Sequence, residues 1–259
     1  MRVWVAVFKL VRVLWHALAG YFTIVFVFPR LAPAAREARV QAWARDMLRV
    51  LGLTVQVRGE PVAQGPALIV ANHISWLDIL ALHAGRYCRF VSKADVHHWP
   101  LIGRLATGAG TLYIERESRR DALRVVHHMA DSLRAGQVLA VFPEGTTSDG
   151  VSLLPFHANL LQAAIAADTP VQPVALGFID RATGQRSLAP CYIGDDTLVG
   201  SLWRTLTSAP ITVTLHYGAP QTCDGRDRRV WATDLRAAIE GLRTGEPTRL
   251  PERQLETVA

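Results

Sequence analysis

Residues 71–80 read ANHISWLDIL, with His73 and Asp78 five positions apart. An imidazole and a carboxylate at that spacing form a base with its orienting acid, two metal ligands, or two ordinary polar residues at the mouth of a helix. A carboxylate on one ring nitrogen fixes the tautomer and leaves the other nitrogen free to take a proton from a hydroxyl. Taken alone, the pattern favours the plain alternative: Asp78 a helix N-terminal acid, His73 a satisfied buried side chain. A metal site is weaker still. No third ligand stands at a matching spacing, and the pairs His97–His98 and His127–His128 lack nearby acids arranged for one.

Two further blocks carry chemistry. VLAVFPEGTTSDG (138–150) runs from an apolar stretch into Phe142-Pro143-Glu144-Gly145-Thr146. Pro143 ends a strand there and Gly145 permits a tight backbone, so that amides and hydroxyls could face a phosphate or an oxyanion. GTLYIER (110–116) sets Arg116 at another strand end, where a guanidinium can bind phosphate through two hydrogen bonds or simply serve as a surface charge.

These residues need a frame that holds strand ends together. Residues 53–57 alternate with period two, and 67–71 (ALIVA) read as a buried strand. Residues 89–93, 111–115, 138–142, 171–178 and 211–217 read as further strands. Helical patterns fall between several of them, at 77–84, 120–135 and 158–167. Strands alternating with helices predict an α/β domain with a largely parallel mixed sheet flanked by helices, whose ligands gather beyond the carboxyl ends of the strands. His73 leaves the strand at 67–71. Ser75 is a candidate cap for the next helix, and Asp78 falls on its first turn.

The blocks resemble, in this order, the motifs of the PlsC-type lysophosphatidic acid acyltransferases: N-H-x4-D at Asn72-His73…Asp78, G-x-x-[FY]-I-x-R at Gly110…Arg116, F-P-E-G-T at 142–146, and a V-P-[VI]-like strand at Val171-Gln172-Pro173-Val174. The resemblance spans residues 53–178. It implies acyl transfer from acyl-CoA or acyl-carrier protein to a lysolipid hydroxyl, with His73 as base and Asp78 orienting it. It also implies Arg116 on the acceptor phosphate, Glu144, Gly145 and Thr146 shaping the acceptor site, and Asn72, Lys93 and Gly110 beside it. No metal or redox cofactor is implied. Thr147 stands where the family commonly has arginine, and His157 where many members have lysine. The acceptor is therefore 1-acyl-sn-glycerol-3-phosphate or, as the alternative, a lyso-ornithine lipid. The chain has no G-x-S-x-G elbow, which counts against a serine hydrolase or thioesterase. A non-catalytic membrane-binding protein is the remaining alternative.

The bulk properties fit an anionic lipid surface. The 259 residues carry a formal net charge of +6 and are half hydrophobic, with mean hydropathy +0.17 and a pI near 9.7. No zinc finger, RNP motif or basic arm points to nucleic acid. Three scattered cysteines give no disulfide framework. Residues 13–28 form an apolar run with Lys9 and Arg12 before it and Arg30 after it. As a helix it would be about 24 Å long, short of a roughly 30 Å hydrocarbon core. Residues 34–51 follow as a basic amphipathic helix, with Gly52 as its stop. The expected organisation is membrane-associating helices at 1–52, an acyltransferase domain at 53–245 and a polar tail at 246–259. Basic flanks on both sides of the run predict a monotopic or re-entrant anchor on the cytoplasmic face of the inner membrane.

Overall fold

The computed structural model of the protein describes residues 2–114 and 119–245. Arg116 and the tail at 246–259 lie outside them. Helix α1 (Arg2–Phe22) continues through a π-helical turn (Thr23–Val27) and a 3-10 turn (Phe28–Arg30) to α2 (Pro33–Leu51). Then come β1 (Leu53–Arg58), β2 (Ala67–Ala71), α3 (Leu77–Gly85), β3 (Arg89–Lys93), α4 (Ile102–Gly108) and β4 (Leu112–Ile114). The chain continues with α5 (Arg119–Arg134), β5 (Val138–Val141), α6 (Gln162–Ala166), β6 (Val171–Asp180), α7 (Leu198–Thr207), β7 (Ile211–Tyr217) and α8 (Arg228–Thr244).

The seven strands form one sheet in the order β1-β7-β6-β2-β5-β3-β4. Every pairing is parallel except β6 with β7. β2 and β5 are apolar and buried at every position, as central strands covered on both faces must be. Their alternate residues serve two cores. Ala67, Ile69 and Ala71 face a cluster with α1, α2, α3 and α7. Leu68 and Val70 face another, built from α5, α6 and α8. Helices α4, α7 and α8 had no counterpart in the sequence-based reading. Their segments carry the helical period, as in Trp231, Leu235 and Ile239 of α8, with Asp227 capping the start through the Arg229 amide.

The N-terminal helix is longer than its apolar run. It begins at Arg2, and residues Val3–Arg30 form one 28-residue helical stretch, about 42 Å long. Lys9 does not interrupt it, because its ammonium lies against Gly52 at the C-terminal end of α2. That end carries the negative pole of the helix dipole. Only a narrow seam of α1 is buried: Ala6, Val13, Ala17 and Gly20. Trp4, Phe8, Val11, Trp15 and Phe22 stand exposed. The helix is long and apolar enough to cross a membrane by length and composition, and it leaves a wide apolar surface uncovered.

Reciprocal bonds lock the seam. Trp43 Nε1 donates to the His16 carbonyl at 3.1 Å, His16 Nε2 lies 3.0 Å from the Trp43 carbonyl, and the two rings stack at 5.2 Å. A Cβ on Gly20 would meet Trp43 Nε1 at 2.5 Å. Gly20→Val is therefore expected to force the indole out of place and destabilise the fold by about 1–3 kcal/mol. Chemical denaturation in detergent reads this as a lower midpoint, and an unchanged midpoint would contradict the packing described.

Candidate active site

His73 sits two residues beyond β2, in the loop leading to α3. Three donors converge there on one oxygen of Asp78. Oδ2 accepts the amides of Ile74 at 2.6 Å and Ser75 at 2.8 Å, and lies 2.8 Å from His73 Nδ1. Asp78 is wholly buried: Oδ2 carries all three bonds, while Oδ1 has no hydrogen-bond partner among the described residues, so the burial is offset at one oxygen only. The two amides are orphan donors of the turn entering α3, so one side chain closes the helix start and grips the imidazole. With the Nδ1 proton directed at the carboxylate, Nε2 carries the lone pair. The Ser75 hydroxyl accepts the Leu77 amide at 3.3 Å, but the N-cap falls one residue later than expected, at Trp76, which makes no side-chain cap.

The imidazole is also fixed from below. It stacks on Phe142 with ring centroids 3.9 Å apart and planes 5° from parallel. Phe142 follows β5, the strand beside β2, so adjacent strand ends deliver the base and its platform. A second histidine, His83 on α3, is a contrast. It is buried edge-on against Phe90, and burial lowers its pKa to about 4. It stays neutral in the core.

Glu144 holds the same loop by its backbone. Its Oε1 accepts the His73 amide at 2.7 Å and its Oε2 accepts the Leu154 amide at 2.8 Å. Burial raises its pKa, offset in part by those two amides. Both oxygens are engaged inside the protein, so Glu144 positions the site rather than touching an acceptor. The segment supplying Leu154 is held by α8. Arg236 donates to the carbonyls of Leu153 (2.6 Å) and Leu154 (3.2 Å), and Arg243 donates to those of Gly150 and Val151. These arginines escaped the sequence-based reading, because the contacts span 82 to 93 positions of chain.

Other expected site residues fall in different places. Asn72 is 1% exposed. Its amide donates to the Leu176 carbonyl at 3.1 Å and accepts the Leu176 amide at 2.7 Å. It ties the end of β2 to β6, which corrects the substrate-binding expectation to a positioning one. Gly110 lies at the amino end of β4, with φ +83°. Its carbonyl accepts from Arg89 at the start of β3. It is a turn residue at the opposite end of the sheet from His73, and a Cβ there would stand 2.8 Å from the Tyr87 hydroxyl. Its expected place beside the acceptor is corrected accordingly.

Gly145 has φ +72° and closes its turn by donating to the Phe142 carbonyl at 3.1 Å. That turn therefore uses its amide internally. The Thr147 hydroxyl donates to the Tyr192 carbonyl. Thr146 is exposed on the same turn. Lys93 is exposed at the carboxyl end of β3, in register with Ile114, on the rim from which His73 emerges. Arg116 lies beyond the described residues.

Glu144→Gln tests the clamp. An amide has one acceptor oxygen where the carboxylate had two, so one backbone N–H loses its partner. The expected result is a fall in kcat of roughly 10–100-fold with little change in KM. The raised pKa adds a pH signature. Between the ordinary carboxylate range and the raised folded value, the native state binds more protons than the unfolded chain. Lowering pH through that window therefore increases stability, and the gain levels off below the unfolded pKa. Unfolding curves of the Gln variant should lack that rise. An identical pH profile would remove Glu144 as its source.

Comparison with known proteins agrees with this geometry. A family model described as Acyltransferase matches residues 54–177. The 1-acyl-sn-glycerol-3-phosphate acyltransferase of Neisseria gonorrhoeae is 37% identical over 187 residues, covering 71% of this chain and 72% of that protein. The lyso-ornithine lipid O-acyltransferase of Pseudomonas aeruginosa is 39% identical over 204 residues, covering 79% and 78%. The crystal structure of the 1-acyl-sn-glycerophosphate acyltransferase PlsC from Thermotoga maritima superposes with a TM-score of 0.65 at 19% identity, over 93% of this chain and 99% of that one, and so shares the fold. On the identity and coverage of the Neisseria enzyme, the chain belongs to the PlsC-type 1-acyl-sn-glycerol-3-phosphate acyltransferase family and is an acyltransferase.

Proposed function

We propose that the protein transfers an acyl group from acyl-CoA or acyl-carrier protein to the sn-2 hydroxyl of 1-acyl-sn-glycerol-3-phosphate, forming phosphatidic acid. The observation that carries this reading is the 2.8 Å contact between His73 Nδ1 and Asp78 Oδ2. It leaves Nε2 as base beyond the carboxyl ends of the central strands. Nε2 takes the hydroxyl proton as the oxygen attacks the thioester carbonyl carbon. A C–O bond forms, the tetrahedral oxyanion collapses, the C–S bond breaks, and the leaving thiolate receives the proton from the imidazolium. Asp78 stays ionised and stabilises the imidazolium while it lasts. Atoms balance with a lysolipid and a thioester giving a diacyl lipid and a free thiol. The sequence needs no acyl-enzyme, metal or redox group.

Lys93 at the site rim and the net charge of +6 support a phosphate-bearing acceptor. A lyso-ornithine lipid is the second reading. It is favoured by Thr147, whose hydroxyl is committed to the Tyr192 carbonyl where a cation was expected. Residues 1–52 are the membrane-associating part in this proposal, lying on the cytoplasmic face of the inner membrane. The burial of Ala6, Val13, Ala17 and Gly20 along α1, and the packing of Ile24 against Gly108 of α4, support a monotopic anchor. A helix bound to the domain along its length does not leave it to cross a bilayer.

The purified protein should be offered 1-acyl-sn-glycerol-3-phosphate and lyso-ornithine lipid separately, each with acyl-CoA and with acyl-carrier protein. Higher kcat/KM for the phosphate acceptor is expected. A reversed preference establishes the second reading, and fatty acid release without either lysolipid sinks both. His73→Ala should lower kcat by about 10²–10⁴-fold while keeping the melting temperature and vesicle binding. Near-normal turnover in that variant would remove the base assignment.

A further inference from the structure

Helix α7 packs against α1 and carries an apolar face that is uncovered among the described residues. Val199 is 77% exposed and Trp203 is 38% exposed. They stand one turn apart on the same side of the helix. The loop before α7 adds Leu188 and Ile193, also exposed. Of its two neighbouring acids, Asp196 is neutralised by two bonds from Arg204, at 3.0 and 2.8 Å, and Asp195 is exposed. The four apolar residues lie on and before the helix packed beside α1, which leaves apolar residues of its own exposed as well.

The same elements reach the catalytic loop. Ser201, buried on α7, accepts from Trp76 Nε1 at 3.2 Å. Trp76 lies between Ser75, whose amide binds Asp78, and the first residue of α3. The loop before α7 pairs with the His73 segment too. The Tyr192 amide donates to the Ile74 carbonyl at 3.1 Å, and its own carbonyl accepts from Thr147.

We propose that Val199 and Trp203, with Leu188 and Ile193, form a second lipid contact that seats the mouth of the catalytic site on the leaflet. The occupant is the acyl and glycerol region of a phospholipid monolayer. The packing of α7 beside the apolar α1 identifies it, and so does the residue pair itself. Tryptophan beside an aliphatic side chain is the composition that settles at a bilayer interface. Because α7 touches the catalytic loop through Ser201 and Trp76, the leaflet that receives α1 also fixes the height of His73 above it. The inference extends the membrane placement proposed above.

Val199→Asp is the informative substitution. Residue 199 is the second residue of α7, after the capping Thr197. An acid there suits the positive pole of the helix and leaves the soluble fold intact, yet it places a charge against anionic lipid. Trp203→Ser is the second variant, and Val230→Ser on α8, also exposed but on the other side of the sheet, is the control. Each is sedimented with vesicles of phosphatidylethanolamine and phosphatidylglycerol. Each is then assayed with a long-chain acceptor embedded in those vesicles and with a short-chain acceptor free in solution.

Roughly tenfold weaker partitioning is expected for Val199→Asp and Trp203→Ser. KM for the embedded acceptor should rise in parallel, with kcat on the soluble acceptor unchanged and the control like the parent. Unchanged partitioning overturns the proposal. So does an equal loss on both acceptors, which would make α7 a structural support of the site only. Sedimentation needs no turnover. A protein that binds vesicles through Val199 but fails to acylate 1-acyl-sn-glycerol-3-phosphate would refute the acceptor assignment alone.

Discussion

One carboxylate oxygen organises the centre of this protein. Asp78 Oδ2 receives the Ile74 amide, the Ser75 amide and the imidazole of His73. A wholly buried acid costs several kcal/mol unless its hydrogen bonds are made. The two amides belong to a turn whose donors would otherwise be unsatisfied. At Oδ2 each requirement meets the other, so the strand-to-helix junction and the orientation of the imidazole are fixed by the same atom. A change at Asp78 cannot be confined to chemistry, because it also removes the closure of α3.

Around that atom the support is layered, and each layer belongs to a different part of the chain. Asn72 binds β6 through both atoms of its amide. Phe142 lies flat beneath the imidazole. Glu144 spans from the His73 amide to the Leu154 amide, and the arginines of α8 hold the carbonyls of Val151, Leu153 and Leu154. Apart from His73 itself, none of these groups need meet substrate to affect the rate. They limit how far an imidazole that is 19% exposed strays from its place, and small misplacements of a catalytic group are costly.

The sequence was legible where one short segment carries the whole reason for a structure. Residues 67–71 are apolar throughout and form β2 with the expected bounds. Asp78 on the first turn of α3 likewise follows from its spacing to His73 and Ser75. It was misleading where a residue type serves two ends. An asparagine beside a catalytic histidine suits a substrate, but it equally suits the backbone groups left open where β2 stops and β6 runs on. A glycine in a motif suits a ligand, but Gly110 is required by its positive φ. Lysine at position 9 looked like the boundary of an apolar helix. Its real partner, the C-terminal end of α2, becomes visible only when the two helices are packed. The α8 arginines were unreadable because their acceptors are carbonyls, which every residue has.

The N-terminal helix and the His73 loop share one hydrophobic core. Ala6, Val13 and Ala17 of α1 belong to the same buried cluster as Ile74 and Leu77, which flank the Asp78 turn, and as Leu206 of α7. Interiors packed at this density transmit displacement rather than absorb it. The N-terminal helix is thus part of the body that carries the base. An amphiphilic acceptor keeps its acyl chain in the leaflet and presents its hydroxyl at a depth set by the glycerol. A base on a flexible tether would sample many heights and meet that hydroxyl only by chance. An imidazole whose loop is buried in the core that α1 shares is held in one place relative to that helix, and the cost of aligning it is met once, when the protein folds.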